Sequence, residues 1–441
     1  MQQSARENWG TKLGFILAAV GSAVGLGNMW RFPYITADRG GAAFVLLYVI
    51  MVLVLGVPVM MAEFAIGRRT RLSPIGAMRE ASSTRGGWGL LGYLFVATGF
   101  LILAYYSVIA GWTMRYALEA FFGGFTVNPA DHFGDVASGT SALMYHLMFM
   151  AITISVVAGG VKGGIERASL VLMPLLFLLV VGLAVWAATL SGAGPGYRFY
   201  LHTDLHRLLS LETLREAAGQ AFFSLSLGMG AMLTYASYLS KEENLPGSAA
   251  IISLSDFGVA FFAGLVVFPV IFALSLQQDI GASTIGALFI SLPRAFNEMG
   301  GIGRFVGLLF FVALFVGALT SAISLLEVVT SSLIDNWSVT RPRAALGAGL
   351  VITAIGIPSA YSLDVLGLFD QVAGNFLLVV GGFLLAIFVG WRFADPIGEP
   401  ARGFRGRGLL SGWLWVLRIV VPIILAFVLY QTGRATFEAV F

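Results

Sequence analysis

The sequence predicts an all-α membrane protein of about eleven transmembrane helices, and three observations carry that reading. Of the 441 residues, 58% are hydrophobic and only 11% charged, with a mean hydropathy of +0.87. A soluble domain of this length needs far more charged surface. Apolar stretches of roughly 20 residues recur along the whole chain, each long enough to cross a bilayer core of about 30 Å. Lys and Arg collect in alternate loops between those stretches.

In chain order the spans are predicted at 11–36, 41–67, 88–123, 141–160, 165–190, 213–240, 246–276, 303–335, 343–359, 362–392 and 412–433. The first could pass for a secretory signal, because Arg6 and Lys12 precede the small-residue run "LGFILAAVGSAVG". Cleavage there would leave a many-spanning protein starting at a polar stub, so it is read as a retained span. Arg68, Arg69, Arg71, Arg79 and Arg85 follow span 2, Lys162 and Arg167 follow span 4, and Lys241 follows span 6. Arg341 and Arg343 follow span 8; Arg392, Arg402, Arg405 and Arg407 follow span 10. The positive-inside rule places these loops and the amino terminus in the cytoplasm, and an odd span count then places the carboxyl terminus outside. Residues 124–140 lack Lys and Arg, as an external loop should. Two other external stretches exceed simple linkers: 191–212, and 278–302, which reads as a short helical hairpin able to fold over an entrance.

The chain is therefore one polytopic membrane domain, 1–441, in contact with lipid. Its net charge of +3 is small and its basic residues sit in short loops, which argues against nucleic acid as a partner. With no cysteine, disulfides, thiolate metal sites and cysteine catalysis are excluded. His132, His146, His202 and His206 lack metal-site spacing.

Spans 1 and 6 are interrupted. The first contains "GSAVGLGNMWRFPY", with Gly21, Gly25, Gly27, Asn28, Arg31 and Pro33, and the sixth contains "GQAFFSLSLGMGAMLTYASY", with Ser224, Ser226, Gly228 and Gly230. Paired interruptions five helices apart point to a five-plus-five inverted repeat with a binding site at mid-membrane. The repeats would be 1–192 (spans 1–5) and 213–392 (spans 6–10), with 412–441 carrying span 11 outside them. Unwound backbone is tolerated in hydrocarbon only where it lines a cavity or binds something. Freed carbonyls can ligate a cation, and half-helix amino ends can hold a carboxylate. The plainer reading of Gly21 and Gly25 is close helix packing, but packing does not require Asn28 beside "GLG". Span 8 adds "GALTSAIS", where Gly317 precedes Thr320 and Ser321. These hydroxyls either bond back to carbonyls one turn earlier or ligate a hard cation such as sodium.

"GFILAAVGSAVGLGNMWRFPY", "GGAAFVLLY", "GQAFFSLSLGMGAMLTYASY" and "GALTSAIS" resemble the neurotransmitter:sodium symporter family over nearly the whole chain. The resemblance implies a central substrate site and two sodium ions. It implies a first sodium at the Ala23 carbonyl, Asn28, Ser224 and Asp256 (or Ser255, should the spacing shift by one residue), together with the substrate carboxylate. It implies a second at the carbonyls of Gly21, Val24 and Gly317 and the hydroxyls of Thr320 and Ser321. The substrate carboxylate would lie against Gly25, Leu26 and Gly27 with a hydrogen bond from Tyr106. The substrate side chain would lie among Ile102, Phe223, Ser226, Met229 and Leu325, with Ala23 and Ser224 also lining the site. Arg31 and Asp370 look like the charged pair of an outer gate, with Phe223 above the substrate. Arg6 and Asp335 look like an inner pair, with Trp9 and Tyr238 beside them.

Members that resemble amine transporters carry an aspartate where this chain has Gly25, so Gly25 suits a substrate bringing its own carboxylate, an amino acid. Met229 and Leu325 suggest an apolar pocket, while Ser226 and Ala322 leave room for an aromatic ring; leucine, methionine, tyrosine and tryptophan all remain open. Asp256 costs on the order of 3 kcal/mol at this depth. It either rests on neighbouring hydroxyls or supplies a fixed negative charge in place of the chloride that many animal relatives require, near Tyr48, Gln220 and Ser224. On the second reading no chloride is expected. Glu63 and Glu327 are expected to bond backbone or hydroxyl groups. In "GIERASLVLMP", Gly164 and Pro174 mark either a kinked helix start or a segment of span 5 that unwinds.

Eleven spans and a short loop between spans 3 and 4 favour a prokaryotic inner-membrane protein. The function implied is sodium-coupled import of a hydrophobic or aromatic L-amino acid, with two sodium ions per substrate. A proton-coupled carrier of the same architecture is the alternative; it would need a titratable group near Thr320, which "VGALTSAISLL" lacks. A channel would need rings of pore residues, and a membrane hydrolase a nucleophile–base pair; neither pattern is present, and no enzymatic activity is expected.

Overall fold

Apolar helices dominate because hydrocarbon forces every backbone N–H and C=O to pair within its own segment. The computed structural model describes residues 6–82, 87–125, 128–202, 210–274, 287–404 and 406–440, and no strand occurs among them. Nine helices are long and apolar enough to cross a membrane among the described residues, or ten when the bent pair of span 1 counts as one. The span expected over 213–240 departs from this pattern. It consists of two helices, Leu211–Ser224 and Ala231–Ala236, neither of which is long enough to cross alone.

Span 1 is Lys12–Ala23, a break, a wide π turn over Gly27–Arg31, and a helix over Phe32–Asp38, with a 49° bend between its halves. Val24 turns extended and ends the first half. Pro33 falls directly after the π turn, where Phe32 N–H closes a wide i→i−5 bond onto the Gly27 carbonyl. In span 6, Ser226, Gly228 and Gly230 all take left-handed backbone, at φ 53°, 79° and 74°. Two of the three are glycine, the residue that enters this region without steric penalty.

Span 2 covers Ala42–Thr70, span 3 Leu90–Phe122, span 4 Gly139–Ala158, span 5 Val161–Ala187 and span 7 Leu245–Ala273. Span 8 covers Gly300–Trp337, span 9 Arg341–Tyr361, span 10 Leu363–Trp391 and span 11 Gly408–Arg434. Spans 3 and 8 share the most extensive helix contact and form the wall against which the two broken helices sit.

Span 5 opens with a π turn over Val161–Glu166 and continues as an α-helix to Ala187, so the Gly164–Pro174 segment is helical throughout in this conformation. Gly164 is there for space: a Cβ would lie 1.9 Å from the Val156 carbonyl oxygen. Of the hairpin expected over 278–302, residues 278–286 lie outside the described residues; the rest is a π turn over Ala287–Ser291 and a helix over Leu292–Glu298.

Candidate functional site

The two breaks face each other across a small cavity of about 30 Å³, room for about one water. Its lining is Ala23, Gly25, Leu26, Gly27, Ile102, Tyr106, Phe223, Ser224, Ser226, Met229, Ser321, Leu325 and Leu378. The structure thus brings together all eleven residues that the resemblance assigned to the substrate, and adds Ser321 and Leu378. Glycine at 25 is a matter of space. A Cβ there would lie 2.5 Å from Ser321 Oγ and 2.8 Å from the Tyr106 hydroxyl. The freed N–H groups of span 1 are partly satisfied by side chains. Gly25 N–H donates to Asn28 Oδ1 at 3.0 Å, and Leu26 N–H donates to the Tyr106 hydroxyl at 3.3 Å. Tyr106 accepts in that bond, which leaves its own proton to give.

Asp256, on span 7, is fully buried and anchors one side of the site. Its carboxylate accepts from Asn28 Nδ2 at 2.7 Å, from Ser224 Oγ at 2.9 and 2.8 Å, and from the Tyr48 hydroxyl at 3.2 Å. Gln220 does not join it; its amide donates to the Gly27 carbonyl at 2.8 Å instead. Asn28, Ser224 and Asp256 are therefore one bonded group of hard oxygen donors with a single negative charge, a set that suits a small hard cation.

A second group of oxygens gathers on span 8. The Ser321 hydroxyl donates toward the carbonyls of Gly21, Ser22 and Val24, at 3.4, 3.3 and 3.2 Å. Thr320 bonds back to the carbonyls of Val316 and Gly317, at 3.2 and 3.1 Å. Ser321 thus meets the Gly21 and Val24 carbonyls, while the Thr320 hydroxyl bonds within its own helix and shares the Gly317 carbonyl. A Cβ on Gly21 would lie 2.9 Å from Thr320 Cβ, so glycine is what admits that approach. The set is carbonyls and hydroxyls only, and its chemistry fits an alkali cation. Among the described residues no cluster of three or more His, Cys, Asp or Glu is arranged for a metal ion.

The inner charged pair is closed. Arg6 bonds Asp335, donates to Ser237 Oγ at 2.6 Å, and lies 4.7 Å over the Tyr238 ring. Trp9 donates from its indole to the Tyr235 carbonyl at 2.9 Å and stands edge-on to Tyr238 at 6.1 Å. The outer pair differs from expectation: Arg31 and Asp370 are joined through Asn375 and not directly. Arg31 donates to Asn375 Oδ1 at 2.9 Å, and Asn375 donates to Asp370 at 3.2 Å. Tyr105 holds the other Asp370 oxygen at 2.8 Å. Arg31 also lies 5.0 Å over the ring of Phe223, so Phe223 separates the central cavity from an outer one of about 220 Å³ lined by Arg31, Arg215, Gln371 and Asn375.

The sequence profile of the Sodium:neurotransmitter symporter family matches residues 6–132 and 126–436. The chain belongs to this family. The symporter is 36% identical to the uncharacterized sodium-dependent transporter YhdH of Bacillus subtilis, over 96% of this chain and 97% of YhdH. It is 34% identical to an uncharacterized sodium-dependent transporter of Methanocaldococcus jannaschii, over 98% of this chain and 91% of that one. The crystal structure of MhsT in complex with L-phenylalanine superimposes with a TM-score of 0.88 at 39% identity, covering 97% of this chain and 100% of that one. The protein is thus a sodium-dependent symporter integral to a membrane, not an enzyme.

Four further side chains bear on the symporter's site: Glu63 and Glu327, whose partners the sequence left general, and Asn375 and Leu378, which it did not single out. Glu63 on span 2 accepts from the N–H groups of Gly228 and Leu233 at 2.8 and 3.0 Å, and so satisfies the freed backbone of span 6. It bonds backbone, as expected. Glu327 bonds a hydroxyl, that of Tyr238, as expected, and in addition takes the two terminal guanidinium nitrogens of Arg341, at 2.7 and 3.0 Å. Asn375 and Leu378 carried no signal, since one polar residue and one leucine in "GNFLLVV" match many helices.

Proposed function

We propose that this symporter imports a hydrophobic or aromatic L-amino acid by alternating access, with two sodium ions per substrate and without chloride. The observation that supports it most is the pocket at the span 1 break. Backbone N–H groups and the Tyr106 hydroxyl meet there beside Asn28, while Ile102, Phe223, Met229 and Leu325 line the apolar remainder. A carboxylate fits the first part and an apolar side chain the second. MhsT, whose structure resembles this one, is recorded with L-phenylalanine. At about 30 Å³ the cavity is smaller than any such amino acid, so binding requires its walls to part.

In this reading the first sodium lies among Ala23, Asn28, Ser224, Asp256 and the substrate carboxylate. The second lies among Gly21, Val24, Gly317, Thr320 and Ser321. Asp256 supplies the fixed negative charge that makes chloride unnecessary. Arg31, Asp370 and Phe223 close the outer side, and the contacts of Arg6, Asp335, Trp9 and Tyr238 break to open the inner side. The chain would lie in a bacterial inner membrane with its amino terminus in the cytoplasm and its carboxyl terminus outside. Spans 1–5 and 6–10 would form the inverted repeat. A tenfold sodium gradient provides about 1.4 kcal/mol per ion, and 100 mV of potential about 2.3 kcal/mol per charge. Two ions then provide roughly 7 kcal/mol, enough for on the order of 10⁵-fold accumulation at full coupling.

The test is binding of labelled leucine and tryptophan to purified protein, in sodium or potassium, with and without chloride. Binding that needs sodium, ignores chloride and is lost in Asn28→Ala is the expected result. Equal binding in potassium would remove sodium coupling at this site and favour the proton-coupled carrier.

A further inference from the structure

Arginines within membrane spans ordinarily face the bundle interior and a partner. Arg418 does not. It lies on span 11 within the π turn Val416–Val420, it is exposed, and its neighbours Trp415, Ile419 and Ile423 are exposed by 60%, 37% and 65%. That is a lipid-facing surface. Its Nε donates to the Gly390 carbonyl, one of the carbonyls that the end of span 10 leaves without a helical partner. The guanidinium lies 5.7 Å over the ring of Trp391, itself 61% exposed. Glycine at 390 admits the approach, since a Cβ would lie 3.0 Å from Arg418 Cγ.

Gly390 is two residues from Arg392, where span 10 ends, so Arg418 packs against the end of span 10. Arg392 is exposed, and among the described residues neither arginine has a carboxylate partner. One of the five N–H donors of Arg418 is used by the protein. Two arginines with spare donors, flanked by the exposed indoles of Trp391 and Trp415, form a surface that matches a phosphate attached to acyl chains.

We propose that the corner between spans 10 and 11 binds the phosphate of an anionic phospholipid through Arg418 and Arg392, with its acyl chains along Trp415, Ile419 and Ile423. The proposed topology bears only on the leaflet, which would be the cytoplasmic one. The test below does not depend on it, nor on the transported substrate.

The full-length protein is reconstituted in equimolar phosphatidylglycerol and phosphatidylcholine and extracted in mild detergent, and retained lipid is counted by native mass spectrometry. The intact protein should keep phosphatidylglycerol in preference to phosphatidylcholine. Arg418→Gln should reduce that preference about fivefold, the effect of one cation near an anionic surface, while Arg418→Lys should keep most of it. Arg392→Gln leaves the Gly390 contact intact and should reduce it by a similar factor, which guards against misfolding of the Arg418 variants. Equal retention of the two lipids, or a preference unchanged in both glutamine variants, would overturn the proposal. So would displacement by excess inorganic phosphate, which would mark a general anion site, or retention only in dimers, which would assign the corner to a second copy.

Discussion

Asn28 binds Asp256 twice, through one amide nitrogen that donates to the carboxylate at 2.7 Å and to the backbone carbonyl at 3.0 Å. The contact joins the break of span 1 to the middle of span 7. It fixes the Asn28 amide so that Oδ1 is left facing the Gly25 N–H, at the edge of the central cavity. One buried carboxylate thereby sets the geometry on which both the proposed ion and the proposed substrate depend.

Asp256→Ser removes the charge and keeps a hydroxyl beside Tyr48 and Ser224. Hydrogen bonds to charged groups are worth about 1.5–3 kcal/mol, so amino-acid binding in chloride-free sodium buffer should weaken by about 10- to 150-fold. Chloride should restore most of it. Binding assays in gluconate and chloride salts read both arms; a folded variant that chloride leaves unrescued would refute the stand-in role of Asp256.

Gly25→Ala should weaken amino-acid binding more than it weakens the fold. The added methyl meets Ser321 Oγ at 2.5 Å and the Tyr106 hydroxyl at 2.8 Å, and both must give way. Overpacking of this kind costs about 1–3 kcal/mol, which corresponds to a 5- to 150-fold loss of affinity, on the order expected when it falls on the bound state. Equilibrium binding and thermal unfolding, measured side by side, separate the two effects. Unchanged affinity would mean that the substrate does not approach Gly25.

Hydrophobic run length and glycine placement made the helices and their breaks readable. Both breaks fall where "SAVGLGN" and "SLSLGMG" predict, because glycine clusters are where unwinding meets least resistance. The outer relay was not readable. Arg31 and Asp370 are oppositely charged and suggest a direct pair, but the amide of Asn375 is of a length that spans the gap between them, and no local pattern encodes a three-body distance. Glu63 was readable in kind but not in place: a carboxylate inside a span must bond something, and which backbone it satisfies depends on how span 2 packs on span 6.

Asn375→Ala should loosen the outer side. Both relay bonds run to charged groups, Arg31 and Asp370, and such a bond contributes about 1.5–3 kcal/mol, so the balance between closed and open outer states should shift at least about tenfold toward open. The chain has no cysteine, which makes Gly219→Cys a sole thiol in the lining of the outer cavity, where a Cβ meets nothing within 4 Å. Its alkylation rate should rise by that factor in the double variant. A fall in rate would mean that Arg31 closes directly onto Asp370 once Asn375 is gone, and the relay would then hold the gate apart, not together.

Arg68 and Glu399 form a buried ion pair, with Nε 2.8 Å from Oε1 and both residues almost wholly shielded. The remaining guanidinium nitrogens donate to the backbone carbonyls of Glu243 and Glu399. One arginine at the end of span 2 therefore holds both the 6–7 and the 10–11 connections. Removing one partner of such a pair leaves a buried charge uncompensated, at about 3–5 kcal/mol. Glu399→Gln should lower stability by that amount, since Arg68 keeps its two carbonyls but loses its counter-charge. Adding Arg68→Met should recover only part of it, because the same two carbonyls then lose their donor. Denaturation of the single and double variants in detergent measures the coupling. A Glu399→Gln protein as stable as the parent would mean that water reaches this pair and that the three segments are not held together by it.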